Sequence, residues 1–142
     1  MDTSTLVSAA LRIGSIPHQA LLKALASYDL CASAETLAEL ERVLDREKFE
    51  RYLDRASRRE FVGLIRRHVH LFAVHNAGLG TVGSLCRDPR DNQFLALALM
   101  AEADVLVSSD EDLLVMDPWR RITIMTPGDF LSRLQTKLEA VE

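Results

Sequence analysis

Four carboxylic acids stand at the edges of the most apolar stretches of this chain. Asp110 follows the run Val105 to Val107 in ADVLVSSDEDLL, with Glu111 and Asp112 directly behind it. Asp91 opens DNQFLALALMA, Asp2 precedes Thr3, Ser4 and an apolar segment, and Glu39 interrupts the apolar stripe of SAETLAELERVL. Carboxylates held that close repel one another unless water or a cation screens them, so a meeting of these acids would make a pocket for positive charge. Each also has a plain structural reading. Asp2 and Asp91 would serve as helix N-caps worth about 0.5–2 kcal/mol each, Asp110 would cap the turn after it, and Glu39 would be one more surface acid. Those separate readings leave the recurrence of acids at apolar edges unexplained.

The elements that must position these acids follow from apolar spacing. Helical periodicity covers Leu6 to Arg12 and Pro17 to Tyr28, divided by the breaker Gly14 to Pro17, with Leu21, Leu22 and Leu25 expected to face inward. Leu30 to Ser33 reads as a short strand. Ser33 then caps a helix through Leu44 on the stripe Leu37, Leu40, Val43 and Leu44. Short charged helices continue from Arg46 to about Arg55, and Ser57 to Val69 predicts a helix burying Phe61, Leu64 and Ile65. His75 to Arg90 is rich in turn formers and reads as loop. Asp91 to Ala101 is the most apolar helix, Val105 to Ser108 and Ile122 to Met125 are strands, and Thr126, Pro127 and Asp129 start a last helix. Strands alternating with helices predict an α/β sandwich around a parallel sheet, whose ligands gather at the carboxyl ends of strands. Asp110 falls just past such an end.

With 142 residues, 48% hydrophobic and 27% charged, the chain is sized and composed as one soluble domain, residues 1–142. A net charge of −4 excludes a global basic field. Residues 41 to 70 nonetheless hold nine Arg or Lys against six acids, a local surplus that could form a positive face or a solvated helix surface laced with ion pairs. Cys31 and Cys86 lack CxxC spacing and suggest reduced thiols. No apolar run reaches the roughly 18 residues of a membrane span, so a cytoplasmic location without membrane association is expected. GxSxG, Walker A and GxGxxG signatures are absent, against serine hydrolases, NTPases and dinucleotide dehydrogenases.

The segments DTSTLVSA, SAETLAELERVL, RDPRDNQFLALALMAEADVLVSSDEDLL and ITIMTPGDFL, in that order, resemble the PIN-domain ribonuclease family, most closely its bacterial branch of toxins from toxin–antitoxin pairs. The resemblance implies a three-layer α/β/α sandwich around a parallel sheet, and an acidic pocket for Mg²⁺ or Mn²⁺ that hydrolyses RNA phosphodiesters. Carried over by position, Asp2, Glu39, Asp91 and Asp110 are the catalytic and metal-holding acids, with Asp112 contributing. Hard divalent cations prefer carboxylate oxygens, and they supply an activated water, a neutralised phosphate and a stabilised leaving oxygen. Thr3, Ser4, Asn92, Ser108 and Ser109 would stand behind the carboxylates as hydrogen-bonding supports. Arg42, Arg46, Lys48, Arg51, Arg55 and Arg58 would track the RNA backbone. The implied partners are an RNA substrate, an antitoxin protein and a second copy in a homodimer, and the implied products carry 3′-hydroxyl and 5′-phosphate ends.

Two departures qualify the resemblance. The family's first, central strand normally lies upstream of its first acid, whereas only Met1 precedes Asp2 here, so that strand is expected to be missing or truncated. An α-amino group one residue from a metal ligand would also compete with the cation. Ser4 stands where the family usually has asparagine, and its shorter side chain reaches less far. These departures keep a second reading open: a catalytically impaired PIN-like module that pairs with an antitoxin or itself. An aspartyl phosphatase is a third, suggested by Asp2-Thr3, but no lysine sits in a recognisable motif for it. His68, His70 and His75 are spaced by two and five with no fourth ligand nearby, so packing or surface roles are expected for them. Trp119 reads as a loop anchor ahead of a base-stacking residue.

Overall fold

Polar caps decide where the helices begin in this computed structural model, which describes residues 1–74 and 89–133. Asp2 accepts the Thr5 N–H at 3.1 Å and starts α1 (Thr3–Leu11); Ser15 likewise starts α2 (Ile16–Ser27), with Pro17 in its first turn. Between them Gly14 takes a φ of +86°, a left-handed conformation that side chains rarely adopt. After β1 (Cys31–Ala32), Ser33 and Thr36 cap one another reciprocally at the head of α3 (Ala34–Leu44). A 3-10 turn (Glu47–Phe49) leads to α4 (Arg55–His68) and β2 (His70–Leu71). Asp54 caps α4, and its hydrogen bond from Ser57 Oγ holds its carboxyl below the usual range. The 3-10 turn Pro89–Asp91 then feeds α5 (Asn92–Met100), β3 (Val105–Val107), the one-turn α6 (Glu111–Leu114) and β4 (Thr123–Met125). A last helix starts at 127, its first turn closed by Thr126 Oγ1 accepting the Asp129 N–H at 3.1 Å.

The strands form two parallel pairs, β1 with β2 and β3 with β4, where the sequence predicts one sheet. Parallel neighbours must lie about 4.7–4.9 Å apart to bond. β1 and β3 are instead separated by a cavity of about 280 Å³, lined by Leu30 and Cys31 on one side and by Val105, Leu106 and Val107 on the other. The Asp2 N–H donates to Val107 O at 3.1 Å, which docks the start of α1 beside β3.

Apolar packing holds the layers together. Leu6, Leu37, Leu40, Leu44, Val62 and Ile65 join α1, α3 and α4 around β1. Leu95, Leu106, Leu113, Trp119 and Ile124 join α5 to β3, α6 and β4, while Ala20, Ala24, Val107 and Phe130 bring α2 and the last helix onto β3. Trp119 is therefore a buried anchor, its backbone bridged to Ile122. Two inward expectations fail. Leu22 is 52% exposed because α2 turns Ala20, Leu21 and Ala24 to the core, leaving Leu22 about 100° away from Leu21. Leu64 is 39% exposed because the buried stripe of α4 runs through Arg58, Val62 and Ile65. His68 ends α4, His70 in β2 lies 3.3 Å from Asp29, and the expected loop over 75–88, with His75 and Cys86, lies outside the described residues. Among the described residues no helix is long and apolar enough to cross a membrane.

Candidate functional site

The carboxyl end of β3 and the start of α5 bring three aspartates together. Carboxylate oxygens of Asp91, Asp110 and Asp112 all lie within 4.8 Å of one another, with Asp91 buried and the other two half-buried. Oxygens on opposite sides of a small hard cation stand about 4.2 Å apart, so the group is close to the spacing one ion would impose. Asp110 begins α6 and accepts the Asp112 N–H at 2.9 Å. Asp91 differs from the N-cap expected of it: its side chain makes no capping bond to α5.

Asp2 and Glu39 reach the same cleft, of about 440 Å³, whose lining includes Asp2, Glu39, Asp91 and Asp110. Nineteen to 52 positions separate successive acids in sequence, and α1, α3, α5 and β3 converge to gather them. Asp2 is buried, and its two oxygens are both engaged: Oδ1 caps α1 and Oδ2 accepts from Ser108 Oγ at 2.5 Å. Ser108 in turn accepts the Asp110 N–H at 2.9 Å, so a single hydroxyl with no exposed surface ties Asp2 to the turn that carries Asp110. Glu39 Oε2 accepts from Thr3 Oγ1 at 2.8 Å and from Gln93 Nε2 at 2.6 Å. Ser4 lines the cleft, Asn92 is buried at the head of α5, and Ser109 is exposed. Burial lowers the pKa of the Met1 α-amino group, with the charges of Asp2 and Cys31 opposing the shift.

The basic residues divide into two sets. Arg42, Arg46 and Lys48 line the cleft beside the acids, together with Arg90. Arg51 hydrogen-bonds Tyr52 OH at 2.7 Å and lies over that ring, and Arg55 makes a two-pronged pair with Asp45 at 2.8 and 2.9 Å. Arg58 departs from the expectation of an RNA contact: only 2% of it is exposed, its guanidinium spent on three backbone carbonyls and Glu50. Sequence reading missed Gln93 and Arg90. Gln93 directly precedes the apolar run FLALALM, and a polar side chain at the head of so apolar a helix is the signal that marks it.

Ser108→Ala would leave Asp2 Oδ2 and the Asp110 N–H without that partner. A buried group so orphaned costs about 1–3 kcal/mol, and loss of a support behind a metal ligand typically weakens metal affinity about 10- to 100-fold. We expect both effects, read by urea unfolding and by Mn²⁺ calorimetry. A variant as stable as the parent, with unchanged Mn²⁺ affinity, would show that the hydroxyl is incidental.

Comparison with known proteins yields one family: the PIN domain, matched over residues 1–112. No curated protein and no solved structure matches the chain significantly.

Proposed function

Because the chain belongs to the PIN-domain family, whose members are generally nucleases, we propose that it is a Mg²⁺- or Mn²⁺-dependent endoribonuclease acting at this acidic cleft. The observation that carries the reading is the approach of Asp91, Asp110 and Asp112 to within 4.8 Å, beside a cleft whose lining includes Asp91, Asp110, Asp2 and Glu39. Three chain carboxylates make the all-oxygen donor set that a hard divalent cation takes, so the residues fit the ion. When bound, the cation would supply charge neutralisation at the scissile phosphate and an acidified water.

The chain's own groups do the rest. Asp91, Asp110 and Asp112 would hold the ion, and Asp2, fixed through Ser108, would add negative charge behind them. Both hydrogen bonds to Glu39 fall on Oε2, which leaves Oε1 to accept a proton from the attacking water. Arg42, Arg46 and Lys48 seat the flanking phosphates, giving position without sequence information. The products would carry 3′-hydroxyl and 5′-phosphate ends.

The wider reading is a cytoplasmic toxin, one domain over 1–142, that pairs with an antitoxin and with a second copy of itself. In fold it is a three-layer sandwich whose first, central strand is missing or truncated, leaving a gap between β1 and β3. The apolar cavity between those strands and the Asp2–Val107 bond support that last point. Calorimetric titration with Mn²⁺, followed by end-group analysis of RNA incubated with the ion, tests the function. Specific heat and metal-dependent 5′-phosphate products are expected. Absence of both would favour the impaired binding module instead.

A further inference from the structure

We propose that Arg58 is a positioning residue that sets the basic wall of the cleft by fixing the backbone which carries Arg46 and Lys48. The claim that this wall meets RNA rests on the nuclease reading above; the claim that Arg58 fixes the backbone does not.

The segment from Leu44 to Leu53 crosses from α3 to α4 with only a 3-10 turn of its own structure. It brings Arg46, Lys48 and Phe49 to the cleft that holds Asp2, Glu39, Asp91 and Asp110. Its own backbone bonds, such as Phe49 N–H to Arg46 O and Leu53 N–H to Phe49 O, join residues three or four apart and so do not tie the segment to α4. Arg58 reaches under it from the first turns of α4. Nε donates to Leu53 O at 2.9 Å, Nη1 to Leu44 O and to Arg46 O at 3.1 Å, and Nη2 to Glu50 Oε2 at 2.5 Å. One guanidinium thus pins both ends of the arch, the carbonyl of Arg46, and a side chain at its middle. Arg58 also sits in the apolar stripe of α4 with Val62 and Ile65, where a hydrophobic residue would pack without desolvating a charge. A buried cation at such a position is accounted for by what it holds. Lysine cannot replace it: an ammonium is compact and lacks the planar fork that spans four acceptors.

Arg58→Lys and Arg58→Met test the proposal, the first keeping the charge and the second the bulk. Amide hydrogen exchange is expected to quicken over residues 45–53 in both variants while α5 keeps its protection. Binding of a ten-residue oligouridylate in EDTA, followed against NaCl, should lose steepness. Two phosphate contacts at about 0.7 each would flatten the log–log slope by about 1.4. Affinity for Mn²⁺ alone should stay within about twofold, because the aspartates stand on other elements. The double change Arg46→Ala, Lys48→Ala should flatten the slope equally in the parent and add nothing in Arg58→Lys. Undisturbed exchange over 45–53 overturns the proposal, and so does full additivity of the two sets of changes. A parent protein that binds no oligouridylate defeats the nuclease reading instead, and exchange then decides the role of Arg58 alone.

Discussion

Under the proposed nuclease function, Asp91→Asn and Asp110→Asn are each expected to lower Mn²⁺-dependent RNA cleavage by at least about 100-fold while the fold persists. Losing a partner behind a metal ligand already costs about 10- to 100-fold in affinity or activity, and a direct ligand should cost no less. The fold survives for separate reasons at the two positions. Asparagine keeps the size of Asp91, whose side chain does not cap α5, and it caps a helix about as well as the aspartate it replaces at 110. Removing one of three mutually close negative charges also relieves repulsion in the metal-free protein. The same substitutions should therefore raise its melting temperature slightly, so that activity and stability move in opposite directions. Cleavage within about threefold of the parent for Asp91→Asn would remove the cluster from the reaction.

Leu95→Ala is expected to destabilise the protein by about 2–5 kcal/mol, a large share of the 5–15 kcal/mol typical of a whole domain. Leu95 has no exposed surface and belongs to the cluster that joins α5 to β3, α6 and β4. The consequence reaches the site, because α5 brings Gln93 to Glu39 and starts directly after Asp91. Loosening its packing should weaken Mn²⁺ binding even though no ligand changes. Leu95→Met, which nearly conserves volume, should cost less than about 1.5 kcal/mol. Urea unfolding of the two variants measures the difference, and a loss below 1 kcal/mol for alanine would mean that the core there collapses around the gap.

Apolar spacing made the helices legible because the physics that writes the pattern is local. The caps Ser33 and Thr126, the run of α5 and the short β3 all sit where residue type and period point. β2 was not legible, since both of its residues are exposed and show no alternation of apolar and polar character. Leu64 misled for a related reason: hydrophobicity suggested the buried face of α4, whereas Arg58 occupies it through bonds to carbonyls that no sequence pattern displays. At the site the acids were readable as types at strand and helix edges. The contacts from Thr3 and Gln93 to Glu39 were not, because they join α1, α5 and α3 across 36 and 54 positions. The division of the sheet into two pairs was likewise invisible to a reading that tests one strand at a time.

The hydroxyl bridge from Ser108 to Asp2 spans 106 positions. Closing a loop of that length costs about 4 kcal/mol in chain entropy beyond a constant. A chain that has not yet delivered β3 and its following turn therefore lacks the hydroxyl that fixes Asp2. Under the proposed function, a divalent ion bound only by the closed cleft would stabilise that arrangement by mass action.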